Sequence, residues 1–347
     1  MDWAKLLYSR RQVDAAGKYL ALPTAEDDPM RWTEAMSIVN NWRASHNFPL
    51  NTFQVGLRKN SRSIDPVALV AQRLKRLPSI LSKLQRFPDM SLARMQDIGG
   101  CRSVLGTVDG VNAVKDAYLK SRFKHVLLRE HDYITNPKSS GYRGIHLVYR
   151  YNSDRNETYN NHRIELQIRS RLQHSWATAV ETVGTLIGQA LKSSEGEQEW
   201  LAFFALVSSA FALREGTPVL ADAPADAELI NNIRDTERRL NVTYRLNAFR
   251  IAIKESLENP GLQNVRYYLM VLDRVANKIQ IRGYSTSQFA AASRDYLDEE
   301  KRTASSTNSD VVLVAADSVW ALRNAYPNYF GDTQHFLAEL KVILGGG

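Results

Sequence analysis

The stretch Arg163-Ile164-Glu165-Leu166-Gln167-Ile168-Arg169 constrains this chain more than any other. At period two, Ile164, Leu166 and Ile168 share one face, and Arg163, Glu165, Gln167 and Arg169 share the other. That is the pattern of a half-buried strand. Its polar row holds an acid, an amide and two guanidinium groups, and it has two readings: a solvated sheet face, or the wall of a charged cleft. Two further segments favour the cleft. Asp97-Ile-Gly-Gly-Cys-Arg102 opens one strand-like run, and the polar residues 136–146 lead into another. Three such segments with acids or bases at one end point to a site that handles phosphates.

Charge supports this. Residues 1–200 hold 29 Lys and Arg against 20 Asp and Glu, whereas residues 201–347 hold 16 against 17. Within 51–150 the count is 18 against 7. A basic half joined to a neutral half implies a polyanionic ligand for the first. No apolar run reaches the roughly 20 residues of a membrane span, and the N-terminus lacks a signal-peptide core. A cytoplasmic protein without membrane attachment is the expectation. The single Cys101 excludes intrachain disulfides and multi-cysteine zinc sites.

With 347 residues there is room for two modest domains. Apolar spacing predicts a helix from Trp32 that Pro49 stops, a second helix capped by Asn51-Thr52, and a third over 66–84 broken near Leu77 by Pro78. Beyond these, 101–108, 123–134, 145–151 and 163–170 read as strands, with a helix over 110–119. Long helices follow after 170 and over 200–213. Residues 216–227 read as a linker, 229–257 as one charged helix ended by Asn259-Pro260-Gly261, and 267–284 as a hairpin about Asn277. A helix, a strand and one or two helices complete a C-terminal ββαβα unit. The expected fold is α+β: a small mixed sheet flanked by helices, with domains at 1–215 and 260–347 joined by 216–259.

There is no phosphate-binding glycine loop of either common type, so side chains must hold any nucleotide. Arg73, Lys75, Ser79 and Lys83 are candidates, as is Arg102, whose planar group can pair with phosphate or stack on a base. Phosphoryl and pyrophosphoryl transfer needs charge neutralised, commonly by magnesium on one or two carboxylates. Asp97 and Glu165 are candidates; a turn cap and an ion pair with a neighbouring arginine are their ordinary alternatives. Tyr142 can stack on a nucleotide base, and His146 can bond a phosphate or assist proton transfer.

On these residues the chain resembles the RelA/SpoT synthetase family. Arg73-Leu-Lys75 with Ser79-Ile and Lys83 is similar to its ATP-binding segment. Asp97-Ile-Gly-Gly-Cys-Arg102 is similar to its magnesium-aspartate motif, residues 132–146 to its acceptor loop, and Glu165-Leu-Gln167-Ile-Arg169 to its catalytic strand. The resemblance covers roughly 32–200. It implies transfer of pyrophosphate from ATP to a ribose 3′-hydroxyl. Asp97 and Glu165 then bind Mg2+, with Gln167 beside them. Arg73, Lys75, Ser79, Lys83 and Arg102 hold ATP, and Tyr142, His146 and Arg169 serve the acceptor. His131 and Gly144 depart from the family pattern on the acceptor side, and a hydrolase domain is not expected.

The C-terminal unit resembles the pseudo-zinc-finger of CapRel-like fused toxin–antitoxins, without the cysteines for zinc. Tyr326-Pro-Asn-Tyr329 is similar to the element with which that branch plugs its ATP site; ordinary helix packing is the other reading. What this resemblance implies is modification of the 3′ end of tRNA, autoinhibition, and release by a phage structural protein such as the capsid at the C-terminal unit. The alternative is a small alarmone synthetase making (p)ppGpp or (p)ppApp.

Overall fold

A computed structural model of the chain describes residues 3–190, 196–252, 254–258, 265–273, 275–276, 278–303, 309–316, 318–330 and 332–345. The chain opens with three helices, α1 (Arg10–Leu20), α2 (Pro29–Ser45) and α3 (Asn47–Ile64). Asp28 caps α2 by accepting from the Arg31 amide. Pro49 does not stop α2, contrary to expectation. It lies in the first turn of α3, where its missing N–H costs nothing.

Next come β1 (Leu69–Leu74), α4 (Leu77–Arg86), β2 (Gly99–Leu105), α5 (Val108–Leu119), β3 (Val126–Asp132), β4 (Ile145–Arg150) and β5 (Arg163–Ser170). The helix expected over 66–84 is therefore a strand followed by a helix. Its apolar positions satisfy both periods over so short a run. Pro78 belongs to the first turn of α4 and starts that helix instead of breaking a longer one.

After β5 come α6 (Arg171–Ala190), α7 (Gly196–Glu215), α8 (Asp226–Leu240), α9 (Val242–Ala252) and β6 (Lys254–Glu258). The single helix expected over 229–257 is thus two helices and a strand. Asn241, in the left-handed region at φ 50°, ends α8. The expected helix end at 259–261 and the hairpin tip at 277 lie outside the described residues. The chain finishes with β7 (Val265–Asp273), β8 (Lys278–Ser285), α10 (Phe289–Thr303), β9 (Ser309–Ala315), α11 (Val319–Ala325) and α12 (Gln334–Ile343).

Among the described residues, nine strands join one mixed sheet in the order β3-β4-β5-β2-β1-β9-β7-β8-β6. The junction between the N-terminal and C-terminal strands is the antiparallel pair β1–β9, with Arg73 opposite Val314. One face buries Leu105, Leu147, Leu166 and Ile168 against Leu57 of α3 and Val114 of α5. Along β7 and β9 the same face buries Leu269, Leu313 and Ala315 under α10. The opposite face is polar across β5, β2 and β1. It turns apolar across β9 and β7, where Val312, Val314, Tyr268 and Met270 pack with Leu322, Tyr326 and Tyr329. This places α11 over the junction, beside the polar row.

Candidate functional site

Strand register assembles the site. Gly100 on β2 lies opposite Arg73 on β1 and Glu165 on β5, while Arg102 pairs with Gln167, and Gln167 with His146 on β4. Residues directly opposite in a sheet project to the same side. The polar row anticipated on β5 therefore continues on three neighbouring strands. A Cβ at Gly100 would meet nothing within 4 Å, so the floor of the site is open there.

Asp97, just before β2, accepts from Lys75 Nζ at 2.7 Å and from Lys83 Nζ at 3.0 Å. Lys75 follows β1 and Lys83 lies on α4, so the strand-then-helix arrangement turns both lysines inward. Ser79, on the same helix, does not line the cavity. Asp97 and Glu165 do line one cavity of about 50 Å3, together with Arg73, Lys75, Arg102, Gln167 and Tyr326.

Glu165 belongs to a closed ring of hydrogen bonds. His146 Nδ1 lies 2.9 Å from Glu165 Oε1, and Gln167 Nε2 donates to Oε2 at 2.8 Å. Arg169 Nη2 donates to Gln167 Oε1 at 3.1 Å and to the Tyr142 hydroxyl at 2.7 Å. That hydroxyl lies 2.5 Å from His146 Nε2. A carboxylate only accepts, so His146 donates to Glu165 from Nδ1. Burial alone would raise the Glu165 pKa; the bond and the charge of His146, the bond from Gln167 and the charge of Lys75 hold it at about 2. Tyr142 is pinned between functions: Arg169 lies 5.0 Å and Lys138 Nζ 5.2 Å from its ring centre.

Gly141 and Gly144 shape the loop entering β4, with φ of 88° and 143°. At Gly141 a Cβ would come within 2.8 Å of Ser208 Cβ, and at Gly144 within 3.0 Å of Arg169 Cγ. The glycine at 144 is therefore dictated by backbone conformation.

The buried donors Arg102 Nε and Arg169 Nε and Nη1 have no hydrogen-bond partner. Unpaired guanidinium N–H groups beside two carboxylates on an open floor fit a triphosphate with a divalent cation. Asp97 and Glu165, which line the same cavity, would be the hard-oxygen donors for such a cation.

The C-terminal unit enters the same site. Tyr326 lies with its ring centre 5.3 Å from the Arg102 guanidinium carbon and 5.8 Å from that of Arg73. Arg102 Nη1 donates to Ala325 O at 3.0 Å, and His174 Nε2 to Asn324 O at 2.9 Å. Tyr329 does not line the cavity; it is buried in the apolar cluster of the C-terminal unit, with its phenol near Arg73 and Arg76.

A second contact was not foreseen. Arg43 on α2 forms a fully buried pair with Glu300 on α10, at 2.5 Å and 3.0 Å, and also bonds the Tyr296 hydroxyl. Its Nε and Nη2 donate to Lys75 O at 3.1 Å and 2.9 Å, and Glu300 Oε1 accepts from Leu77 N at 3.4 Å. Arg76 and Asp310 form a further ion pair across the junction. A usable signal existed: Arg43 falls four residues after Val39 on the buried stripe of α2, and Glu300 four after Tyr296 on that of α10.

With this geometry in view, the comparisons are specific. Residues 72–183 match the family model described as the region found in RelA / SpoT proteins. The GTP pyrophosphokinase YjbM of Bacillus subtilis is 36% identical over 115 residues, 33% of this chain and 54% of that protein. The uncharacterized protein Rv1366 of Mycobacterium tuberculosis is 29% identical over 158 residues, 46% of this chain and 53% of its own. The chain spans about half the length of the curated relatives it matches. Small alarmone synthetase 1 from Bacillus subtilis, solved bound to its product pppGpp, aligns with TM-score 0.44 and 24% identity, over 50% of this chain and 91% of that one. The site residues on β1, α4, β2, β4 and β5 fall inside the matched region 72–183, whereas Asn324, Ala325 and Tyr326 lie outside it.

Proposed function

We propose that the chain is an ATP-dependent pyrophosphokinase that modifies the 3′ end of tRNA and is held inactive by its own C-terminal unit. The observation that carries this reading is Tyr326 standing in the cavity that joins Asp97, Glu165, Lys75, Arg73 and Arg102. A cavity of about 50 Å3 is far below the ~300 Å3 or more that small-molecule sites usually occupy. Withdrawal of Tyr326 exposes Arg73 and Arg102 to ATP. Asp97 and Glu165 would hold Mg2+, which would supply neutralisation of charge on the transferred group. Lys75 and Lys83 then turn from Asp97 to phosphate oxygens. Glu165, with its low pKa, is a poor proton acceptor at neutral pH and serves to anchor and orient. The acceptor base stacks near Tyr142, with His146 and Arg169 behind it.

In this reading a phage structural protein such as the capsid binds the C-terminal unit and lifts it, so infection triggers arrest of translation. The excess of positive charge in 51–150 supports a nucleic-acid acceptor. A second reading, a small alarmone synthetase acting on free nucleotides, is favoured by the name of the Bacillus subtilis relative. The test incubates the full chain, and a Tyr326→Ala variant, with γ-labelled ATP, Mg2+ and either tRNA or guanosine and adenosine nucleotides. Label on the tRNA 3′ end supports the first reading; label on free nucleotide alone replaces it with the second. No transfer by either form defeats both.

A further inference from the structure

The face of the sheet that carries Glu165 continues outward to the edge strand β3. On β5, Arg163 precedes Glu165 by two residues and projects the same way; on β4, Arg150 lies directly opposite Arg163, and Val148 opposite Glu165. On β3, Arg129 lies opposite Val148. Two segments outside the sheet add to this edge. Arg163 Nη1 donates to Arg94 O at 2.5 Å, and Arg10 Nη2 donates to Asn161 O at 3.2 Å, which brings Arg94 and Arg10 alongside. Arg10, Arg94, Arg129 and Arg150 are exposed and Arg163 is half-buried.

Five arginines from five parts of the chain thus crowd one edge, and among the described residues none makes an ion pair with a carboxylate. The nearby acids are turned away or engaged: strand alternation sends Glu130 and Asp132 to the other face, and Asp132 is paired with Lys115 at 3.1 Å. Burial and then the charges of Arg10, Arg94, Arg129 and Arg150 push the Arg163 pKa down. Like charges gathered without counter-ions weaken a fold. A polyanion that displaces their counterions gives such an arrangement a use.

We infer that Arg10, Arg94, Arg129, Arg150 and Arg163 form a track for the phosphodiester backbone of a polynucleotide, which leads its reacting 3′ end to Glu165. This rests on the reading that the site transfers a group to an acceptor ribose, and it names where the rest of the acceptor lies. Strand spacing sets the scale. Arg163 starts roughly 7 Å from Glu165 along β5, and Arg129 lies roughly 10 Å from it across two strand spacings. The phosphates of one nucleotide are joined in a single chain and present one cluster of charge. Arginines spread over three strands and two segments outside the sheet match a backbone with repeated phosphates instead.

The test measures binding without ATP or metal, so it is independent of catalysis. The full chain is titrated against a fluorescent RNA hairpin with a short single-stranded 3′ end, and separately against GDP, from about 50 to about 200 mM salt. The Arg129→Ala/Arg150→Ala double variant is expected to bind the RNA at least tenfold more weakly. The slope of log affinity against log salt should flatten by about 1.5, as expected for two lost phosphate contacts. Arg129→Lys/Arg150→Lys keeps most of the slope, and GDP binding does not respond to either pair. An RNA affinity and slope unchanged by the alanine pair, or no RNA binding by the wild type, overturns the track. A slope that flattens as described while no label reaches RNA would retain the track and discard the transferase reading.

Discussion

The ring of Tyr326 sits against the guanidinium of Arg102, and the backbone carbonyl just before it accepts a 3.0 Å bond from the same group. Arg102 is thus engaged twice by one turn of the C-terminal unit. Arg73, on the neighbouring strand, faces the same ring.

Removing that ring should therefore open the site. Tyr326→Ala is expected to strengthen binding of a non-hydrolysable ATP analogue by at least tenfold, about 1.4 kcal/mol. Titration calorimetry on the full chain reads this directly. Equal affinities for variant and wild type would mean that the tyrosine does not compete with nucleotide. Tyr329→Ala should act less on binding and more on stability, because Tyr329 is buried in an apolar cluster and does not line the cavity.

The Arg43–Glu300 pair gives a separate test of docking. It is buried, it spans α2 and α10, and it holds the carbonyl of Lys75. Breaking one partner of a buried pair leaves an uncompensated charge and typically costs about 3–5 kcal/mol. Glu300→Ala should destabilise the closed arrangement on that scale and also loosen the turn that aims Lys75 at Asp97. Urea denaturation of Glu300→Ala, Arg43→Met and the double variant forms a cycle. Most of the loss should be recovered in the double variant, since no lone charge remains. Strictly additive losses would show that the two residues act independently.

Much of the site was legible because its chemistry is local. Period-two alternation put Arg163, Glu165, Gln167 and Arg169 on one face, and the sheet keeps them there. Asp97 and Lys75 were named from nearby segments and meet through a single ion pair. What failed was periodicity over short apolar runs: Leu69–Leu74 satisfies helix and strand alike, and only pairing with β2 and β9 decides. The β1–β9 junction and the Arg43–Glu300 pair join residues more than 200 positions apart. No local pattern encodes such a partner, although each charge standing on a buried stripe announced that one was needed.

Gly144 is a case where a departure from the family pattern has a backbone cause. At φ 143° a side chain is strained, and its Cβ would stand 3.0 Å from Arg169 Cγ. Gly144→Ser should cost about 1–3 kcal/mol and displace Arg169 from Tyr142 and Gln167. Differential scanning calorimetry should show a lowered Tm. A Tm equal to that of the wild type would mean the loop can adopt another backbone path.

The ring around Glu165 predicts an acid-limb signature. Its carboxyl is held at about 2 against an ordinary 4.5, so the ionised form is favoured by the folded chain. A depressed carboxyl contributes stability that is complete above the unfolded value and disappears as pH falls through the folded one. The window is therefore pH 4.5 down to about 2, and the full contribution is on the order of 3 kcal/mol. Glu165→Gln cannot titrate, yet it leaves the other acid-sensitive groups, including the buried histidines, in place. The stability advantage of the wild type over Glu165→Gln should shrink by about 2 kcal/mol between pH 5 and pH 3. Urea denaturation of both proteins at the two pH values measures it. Parallel loss in the two proteins would show that Glu165 is not held by His146, Gln167 and Lys75 in solution, and the ring would lose its role in fixing the anion.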